Sequence, residues 1–172
     1  MALLNPDETA LAQHDMEQAK AQAKFDTAHP DVQKIKGARL LIVDDNEINI
    51  EVAKGILAGL PITLLQATNG KEALQQLILA ERRGEAVHCV LMDCQMPIMN
   101  GYEASQKIRK GEAGESYTNM PIIAMTANAM LGERNKCLSA GMSDYLTKPV
   151  NEVTMKEKVT KWTLSVYHAA QG

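Results

Sequence analysis

Short apolar runs alternate with longer segments of helical spacing along most of the chain. The apolar runs lie at residues 40–43, 62–66, 87–92, 122–125 and, more weakly, 144–146. The helical segments lie at residues 46–60, 71–83, 102–110, 131–140 and 151 to about 168. The first, third and fourth runs are continuously apolar, which is typical of parallel strands that helices cover on both faces.

Regular alternation of strand and helix predicts an α/β fold, a doubly wound, five-stranded parallel sheet of the (βα)5 type. Right-handed crossovers place the carboxyl ends of all the strands at one edge of the sheet, where ligands of such folds bind. We therefore look for functional side chains directly after each apolar run.

The first part of the chain has a different composition. Residues 1–36 are rich in Ala, Gln and Asp, contain little Val or Ile, and end in a run at residues 29–31 that indicates a break. Asn5 as a possible N-cap and Pro6 at the first helical position predict a helix over residues 6–24, but the apolar face of this helix is narrow. We expect residues 1–36 to be a linker or leader and residues 37–172 to form the domain.

Composition narrows the class of protein. The chain has 172 residues, of which 45% are hydrophobic and 23% charged, so it can bury the core of one domain. A net charge of −3, with acidic residues beside the basic ones, argues against nucleic acid as a partner. No apolar run approaches the roughly 20 residues of a membrane span, so we expect a cytoplasmic protein without membrane contact. An odd number of cysteines without a C-x-x-C pair predicts that Cys89, Cys94 and Cys137 are small buried thiols.

Three acids follow the predicted strands. Asp44 and Asp45 come after the first strand and Asp93 after the third. One acid could simply cap a helix, but three carboxylates at one edge repel one another unless a cation neutralises them. Oxygen ligands of this kind favour Mg²⁺ over softer metals.

Two further polar side chains complete a candidate site. Thr126 follows the fourth strand and Lys148 the fifth, and each alone is a weak signal because such residues are common at strand ends. Together with the acids they suit phosphoryl transfer, with Asp93 as the nucleophile and Mg²⁺, Lys148 and Thr126 on the phosphoryl oxygens. The product would be an acyl phosphate.

These residues lie in blocks that resemble the receiver domains of two-component response regulators, most closely those of hybrid histidine kinases. The resemblance covers about residues 38–168. Its four blocks are LIVDDNEIN at 41–49, MDCQMPIMNG at 92–101, PIIAMTA at 121–127 and GMSDYLTKP at 141–149.

The resemblance implies a flavodoxin-like strand order of 2-1-3-4-5 and a role for each site residue. Asp93 would be the phosphoacceptor, Asp45 a direct Mg²⁺ ligand, Asp44 a ligand largely through water, and the Gln95 carbonyl the remaining protein ligand. By the same resemblance, Thr126 and Lys148 contact the phosphoryl group, Tyr145 is an aromatic switch that follows Thr126, and the Lys148–Pro149 peptide bond is cis.

The implied activity is self-catalysed, Mg²⁺-dependent transfer of a phosphoryl group to Asp93, followed by slow hydrolysis. The donor would be a phosphohistidine on a histidine kinase or a histidine phosphotransfer protein. Partners would sense a change in the surface formed by the helix at 131–140 and the strand at 144–146. The unmatched leader and the hybrid-type blocks favour a receiver that comes from a larger hybrid histidine kinase.

Two other classes compete with this interpretation. An aspartyl phosphatase of the haloacid dehalogenase type also attacks phosphorus with a strand-end Asp, but it needs a second acid at the position of Gln95. A nucleotide- or flavin-binding module would need a phosphate-binding loop after the first strand, where Asp44 and Asp45 repel phosphate.

The helix after the first strand also suggests a docking surface. Helical spacing places one apolar stripe toward the core and Ile48, Val52 and Gly55 roughly opposite. These outward residues could receive a helix of a phosphotransfer partner. Ordinary scatter of exposed apolar side chains explains them nearly as well.

Overall fold

A computed structural model describes residues 29–128 and 130–167 of the chain. Its helices and strands in order are α1 (Pro30–Lys34), β1 (Arg39–Val43), α2 (Glu47–Leu57), β2 (Thr63–Ala67), α3 (Gly70–Arg82), β3 (Cys89–Asp93), α4 (Gly101–Arg109), a 3₁₀ turn (Glu115–Tyr117), β4 (Ile122–Thr126), α5 (Leu131–Ser139), β5 (Asp144–Thr147) and α6 (Glu152–Val166). The helix predicted over residues 6–24 lies outside the described residues. None of the described helices has the length and apolar character needed to cross a bilayer.

The five strands are parallel and ordered β2-β1-β3-β4-β5, which confirms the predicted topology. Helices cover both faces, so the core has two parts. Side chains of β1 alternate between them, with Leu41 and Val43 packed under α3 and α4 and Leu40 and Ile42 packed under α2 and α6. The three cysteines are buried free thiols, as predicted.

Two local predictions were wrong. The run at residues 29–31 does not break the chain but begins α1, because Pro30 occupies its first turn and the His29 ring accepts a hydrogen bond from the Asp31 N–H at 3.1 Å. Val32 in this helix is buried against the core. The third strand begins at Cys89 rather than residue 87, where the Val87 N–H donates to the Tyr117 hydroxyl instead.

An asparagine is the N-cap residue of four helices. Each asparagine side chain accepts a hydrogen bond from a backbone N–H in the first turn, and such a cap stabilises a helix by about 1 kcal/mol. The caps are Asn46 for α2, Asn69 for α3, Asn100 for α4 and Asn151 for α6. By contrast, the N-cap residue of α5 is Met130, whose side chain makes no capping hydrogen bond.

Candidate functional site

Acidic side chains and one lysine meet at the carboxyl edge of the sheet. Asp44 follows β1 and is fully buried, and Asp93 ends β3 with 6% of its surface exposed. Lys148 follows β5, and its Nζ lies 3.2 Å from Asp44 Oδ2 and 3.2 Å from Asp93 Oδ1. The Lys148–Pro149 peptide bond is cis, as the resemblance implied.

The carboxylates of Asp44, Asp45 and Asp93 form a cluster that could hold a metal ion. One oxygen from each lies within 4.8 Å of the others. Oδ1 of Asp44 accepts hydrogen bonds from the Asn46 N–H at 2.9 Å and the Asn49 amide at 3.3 Å, while its Oδ2 faces Lys148. Both oxygens of Asp44 are therefore engaged by protein donors, whereas Asp45 is exposed to solvent.

The cluster carries more negative than positive charge. Burial, and then the neighbouring Asp44 carboxylate, raise the pKa of Asp93 from 3.8 to about 6, although Lys148 opposes this shift. Burial alone would lower the pKa of Lys148, but Asp93 and Asp44 outweigh it and raise that pKa. Lys148 is thus a fixed cation, and the remaining charge favours binding of a second cation.

Thr126 ends β4, the strand next to that of Asp93, and Tyr145 lies on the neighbouring strand β5. Thr126 is buried, and its hydroxyl donates to the Asn128 carbonyl at 3.0 Å and accepts from the Asn128 N–H at 3.1 Å. Tyr145 is half-buried and pairs with Ala124 in the sheet register. The Gln95 N–H donates to Asp93 Oδ1 at 3.4 Å.

Sequence reasoning missed two residues that shape the site. Asn49 in the first turn of α2 donates a hydrogen bond to Asp44. The sequence feature that could have indicated this contact is an amide side chain one turn after the Asn46 cap. Gly101 packs so closely behind Asp93 that a Cβ there would overlap the Asp93 carbonyl oxygen. A glycine at the first position of a helix, where its helical propensity is poor, was the available signal.

A family model described as the response regulator receiver domain matches residues 40–160. The chain belongs to this family. As a receiver domain, it is a component of a two-component phosphorelay, and its flavodoxin-like fold is the fold of its structural neighbours.

Relatives of this receiver domain include a much longer protein. The chain is 38% identical over 128 residues to the sensor protein GacS of Pseudomonas syringae pv. syringae, a match that covers 74% of this chain and 14% of GacS. The receiver domain therefore spans about a seventh of that relative.

Two solved structures are similar over most of the described fold. The receiver domain of sensor histidine kinase PA1611 from Pseudomonas aeruginosa, with a magnesium ion in its active-site cleft, has 35% identity and a TM-score of 0.64 over 74% of this chain and 98% of that one. The receiver domain of Ssk1 from Saccharomyces cerevisiae, crystallised with the histidine phosphotransfer protein Ypd1, has 32% identity and a TM-score of 0.63 over 74% of this chain and 90% of that one.

Proposed function

We propose that Asp93 is the phosphoacceptor of this receiver domain. The supporting observation is that the almost fully buried Asp93 lies beside a fixed cation, Lys148, which also contacts a second acid, Asp44. An Asp93 carboxylate oxygen attacks phosphorus, the P–N bond of a phosphohistidine breaks, and its electron pair returns to the imidazole. The products are an aspartyl phosphate and a free histidine.

A metal ion belongs beside this carboxylate, and Mg²⁺ fits the all-oxygen donor set. Asp45, Asp93 and the Gln95 carbonyl would hold it, whereas Asp44, whose oxygens are taken up by protein donors, would act largely through water. When bound there, the ion would supply positive charge to offset that of the transferred phosphoryl group. The PA1611 receiver with magnesium in its cleft supports this choice of metal.

Lys148 and Thr126 would bind the phosphoryl oxygens that the metal leaves free. The ammonium of Lys148 already lies 3.2 Å from an Asp93 oxygen, so it can contact a group attached there with little movement. The hydroxyl of Thr126 must leave the Asn128 backbone to reach it. That movement, followed by the Tyr145 ring, would change the surface formed by α5 and β5.

Intact mass measurements test this function. With acetyl phosphate and Mg²⁺ the protein should gain one phosphoryl group per chain, and chelation of the metal by EDTA should prevent the gain. The expected stoichiometry is one because the product stays on the protein. Sustained turnover of a phosphomonoester such as p-nitrophenyl phosphate, without a labelled protein, would contradict the proposal and favour the phosphatase class.

We also propose that the donor is a histidine kinase or histidine phosphotransfer protein that docks on α2. Ile48 is 71% exposed and Val52 49% exposed on the outer face of that helix, beside the acidic cluster. Ile98, in the loop after β3, is exposed as well and is held at a φ of 69°, a conformation that is unfavourable for a β-branched residue. The Ssk1 receiver crystallised with Ypd1 supports this kind of partner.

A charge placed on the outer face of α2 should block docking of the partner without slowing phosphorylation of Asp93 by a small donor. Ile48→Asp and Val52→Asp are each expected to slow transfer from a phosphorylated phosphotransfer protein by roughly tenfold or more, because a charge must be desolvated in an apolar contact. Labelling by acetyl phosphate should stay at the wild-type rate. Leu79→Asp, at an exposed apolar position on α3, is the matched control and should transfer normally. Equal losses in both assays would contradict the docking proposal.

The relatives also bear on the parent protein. We propose that residues 37–172 form the receiver domain and that residues 1–36 are a linker or leader whose last part, α1, packs against the domain through Val32. We also propose that the domain belongs to a hybrid histidine kinase and works in the cytoplasm. The support is the hybrid-type sequence blocks and the receiver of a sensor histidine kinase among the similar structures.

A further inference from the structure

The helix α5 is held to the domain by few buried side chains. Among its described side chains, only Cys137 is buried. Its N-cap residue is Met130, which lacks the side-chain hydrogen bond that asparagines provide to four other helices. Because the described side chains of α5 bury little apolar surface, its position depends in part on contacts made by its polar side chains.

One of these contacts reaches the proposed switch. The guanidinium carbon of Arg134 lies 5.2 Å from the centre of the Tyr145 ring. On α6, Lys158 Nζ lies 4.9 Å from the same ring and is bound to Asp144 Oδ1 at 3.0 Å and the Tyr145 carbonyl at 2.7 Å. Lys158 is thus tied to β5, whereas Arg134 is an exposed residue whose contact joins Tyr145 to α5.

We infer that Arg134 is a positioning residue that holds Tyr145, and with it α5, in the conformation of the unphosphorylated domain. The inference rests on the proposed function, in which Tyr145 follows Thr126 toward the phosphoryl group. In the present conformation the Thr126 hydroxyl is bound to the Asn128 backbone, and the Tyr145 ring contacts Arg134. Movement of the ring away from this position breaks the cation–π contact, so the contact opposes the switch.

Loss of the contact should shift the switching equilibrium toward the phosphorylated form. An exposed cation–π pair corresponds to a shift of roughly two- to fivefold. Since the shifted conformation is the one that accepts the phosphoryl group, the rate of labelling by a small phosphodonor rises by the same factor. If Arg134 acted only by attracting the anionic acetyl phosphate over a long range, its removal would slow labelling. A faster rate therefore identifies an effect on the switch.

The test measures labelling rates with acetyl phosphate and Mg²⁺ by intact mass. Arg134→Ala and Arg134→Met, which keeps an apolar stem, should both be labelled roughly two to five times faster than the wild type. Arg134→Lys, which keeps a cation, should stay near the wild-type rate. Lys161→Ala is the control, because it removes a cation–π contact of the same kind, with the Trp162 ring, away from Tyr145.

The outcomes separate the inference from the proposed function. If the wild type is labelled but Arg134→Ala and Arg134→Met react at its rate or more slowly, the role of Arg134 is wrong while the phosphoacceptor proposal stands. If Lys161→Ala also accelerates labelling, the acceleration does not depend on the contact with Tyr145, and the inference again fails. If the wild type takes up no phosphoryl group, the proposed function fails first and the inference with it.

Discussion

An Asp93→Asn variant is expected to take up no phosphoryl group and to be more stable than the wild type at pH 8 without metal. The amide cannot form an acyl phosphate, so the loss of labelling should be complete. The gain in stability follows from the crowding of Asp93 and Asp44 around the single cation of Lys148. Asparagine removes one of the repelling charges and leaves the Asp44–Lys148 pair intact.

The stability gain should depend on pH in a defined direction. Because the pKa of Asp93 is raised from 3.8 to about 6, the folded protein holds this proton more tightly than the unfolded chain. The wild type therefore loses stability relative to the variant as the pH rises from about 4 to about 6, by roughly 2–3 kcal/mol in total. Below pH 4 Asp93 is protonated in both the folded and the unfolded wild type, and the difference in stability between the wild type and the variant disappears.

Urea unfolding of both proteins in EDTA between pH 4 and pH 8 measures this difference. Mg²⁺ should stabilise the wild type most at high pH, where the carboxylates are ionised, and should have less effect on Asp93→Asn. Asp31→Asn, on α1 with 47% of its side chain exposed, is a control that should be labelled and unfold like the wild type. A wild type that is as stable as Asp93→Asn across the whole range would contradict the charge imbalance.

Gly101→Ala is expected to destabilise the domain by about 3 kcal/mol or more. The added Cβ would overlap the Asp93 carbonyl oxygen and lie 3.0 Å from Met92 Cγ. Neither neighbour can yield easily, because both belong to the buried central strand β3. Relief of the overlap must move α4 or Asp93 itself, so the rate of labelling by acetyl phosphate should fall as well.

Gly55→Ala is the matched control, and it is expected to raise the stability of the domain instead of lowering it. Gly55 lies inside α2, and apart from its chain neighbours and the nearby backbone of its own helix, a Cβ added there would meet no atom within 4 Å. Alanine should therefore stabilise the domain by about 0.5–1 kcal/mol. Urea unfolding of the two variants beside the wild type measures both effects. Equal stabilities for Gly101→Ala and Gly55→Ala would show that close packing behind Asp93 is not required.

The sequence alone was enough to predict the sheet and the edge where the side chains of the candidate site meet. Continuous apolar runs indicated β1, β3 and β4 because a strand covered on both faces has no polar side to show. Polar residues that end such runs indicated the carboxyl edge, and Asp93 was located in this way. The number, direction and order of the strands followed from alternation with helices and from the resemblance.

Only the tertiary structure could show how the side chains meet. Lys148 and Asp44 are 104 residues apart, and their contact depends on the register of strands that never adjoin in sequence. Three further contacts were not predicted from the sequence: that of Asn49 with Asp44, that of Gly101 with Asp93 and that of Arg134 with Tyr145. Periodicity reports which face of an element is buried, because burial acts on each segment separately. Distances between side chains of different segments are set by packing of the whole domain, and the charge balance around Asp93 is decided there.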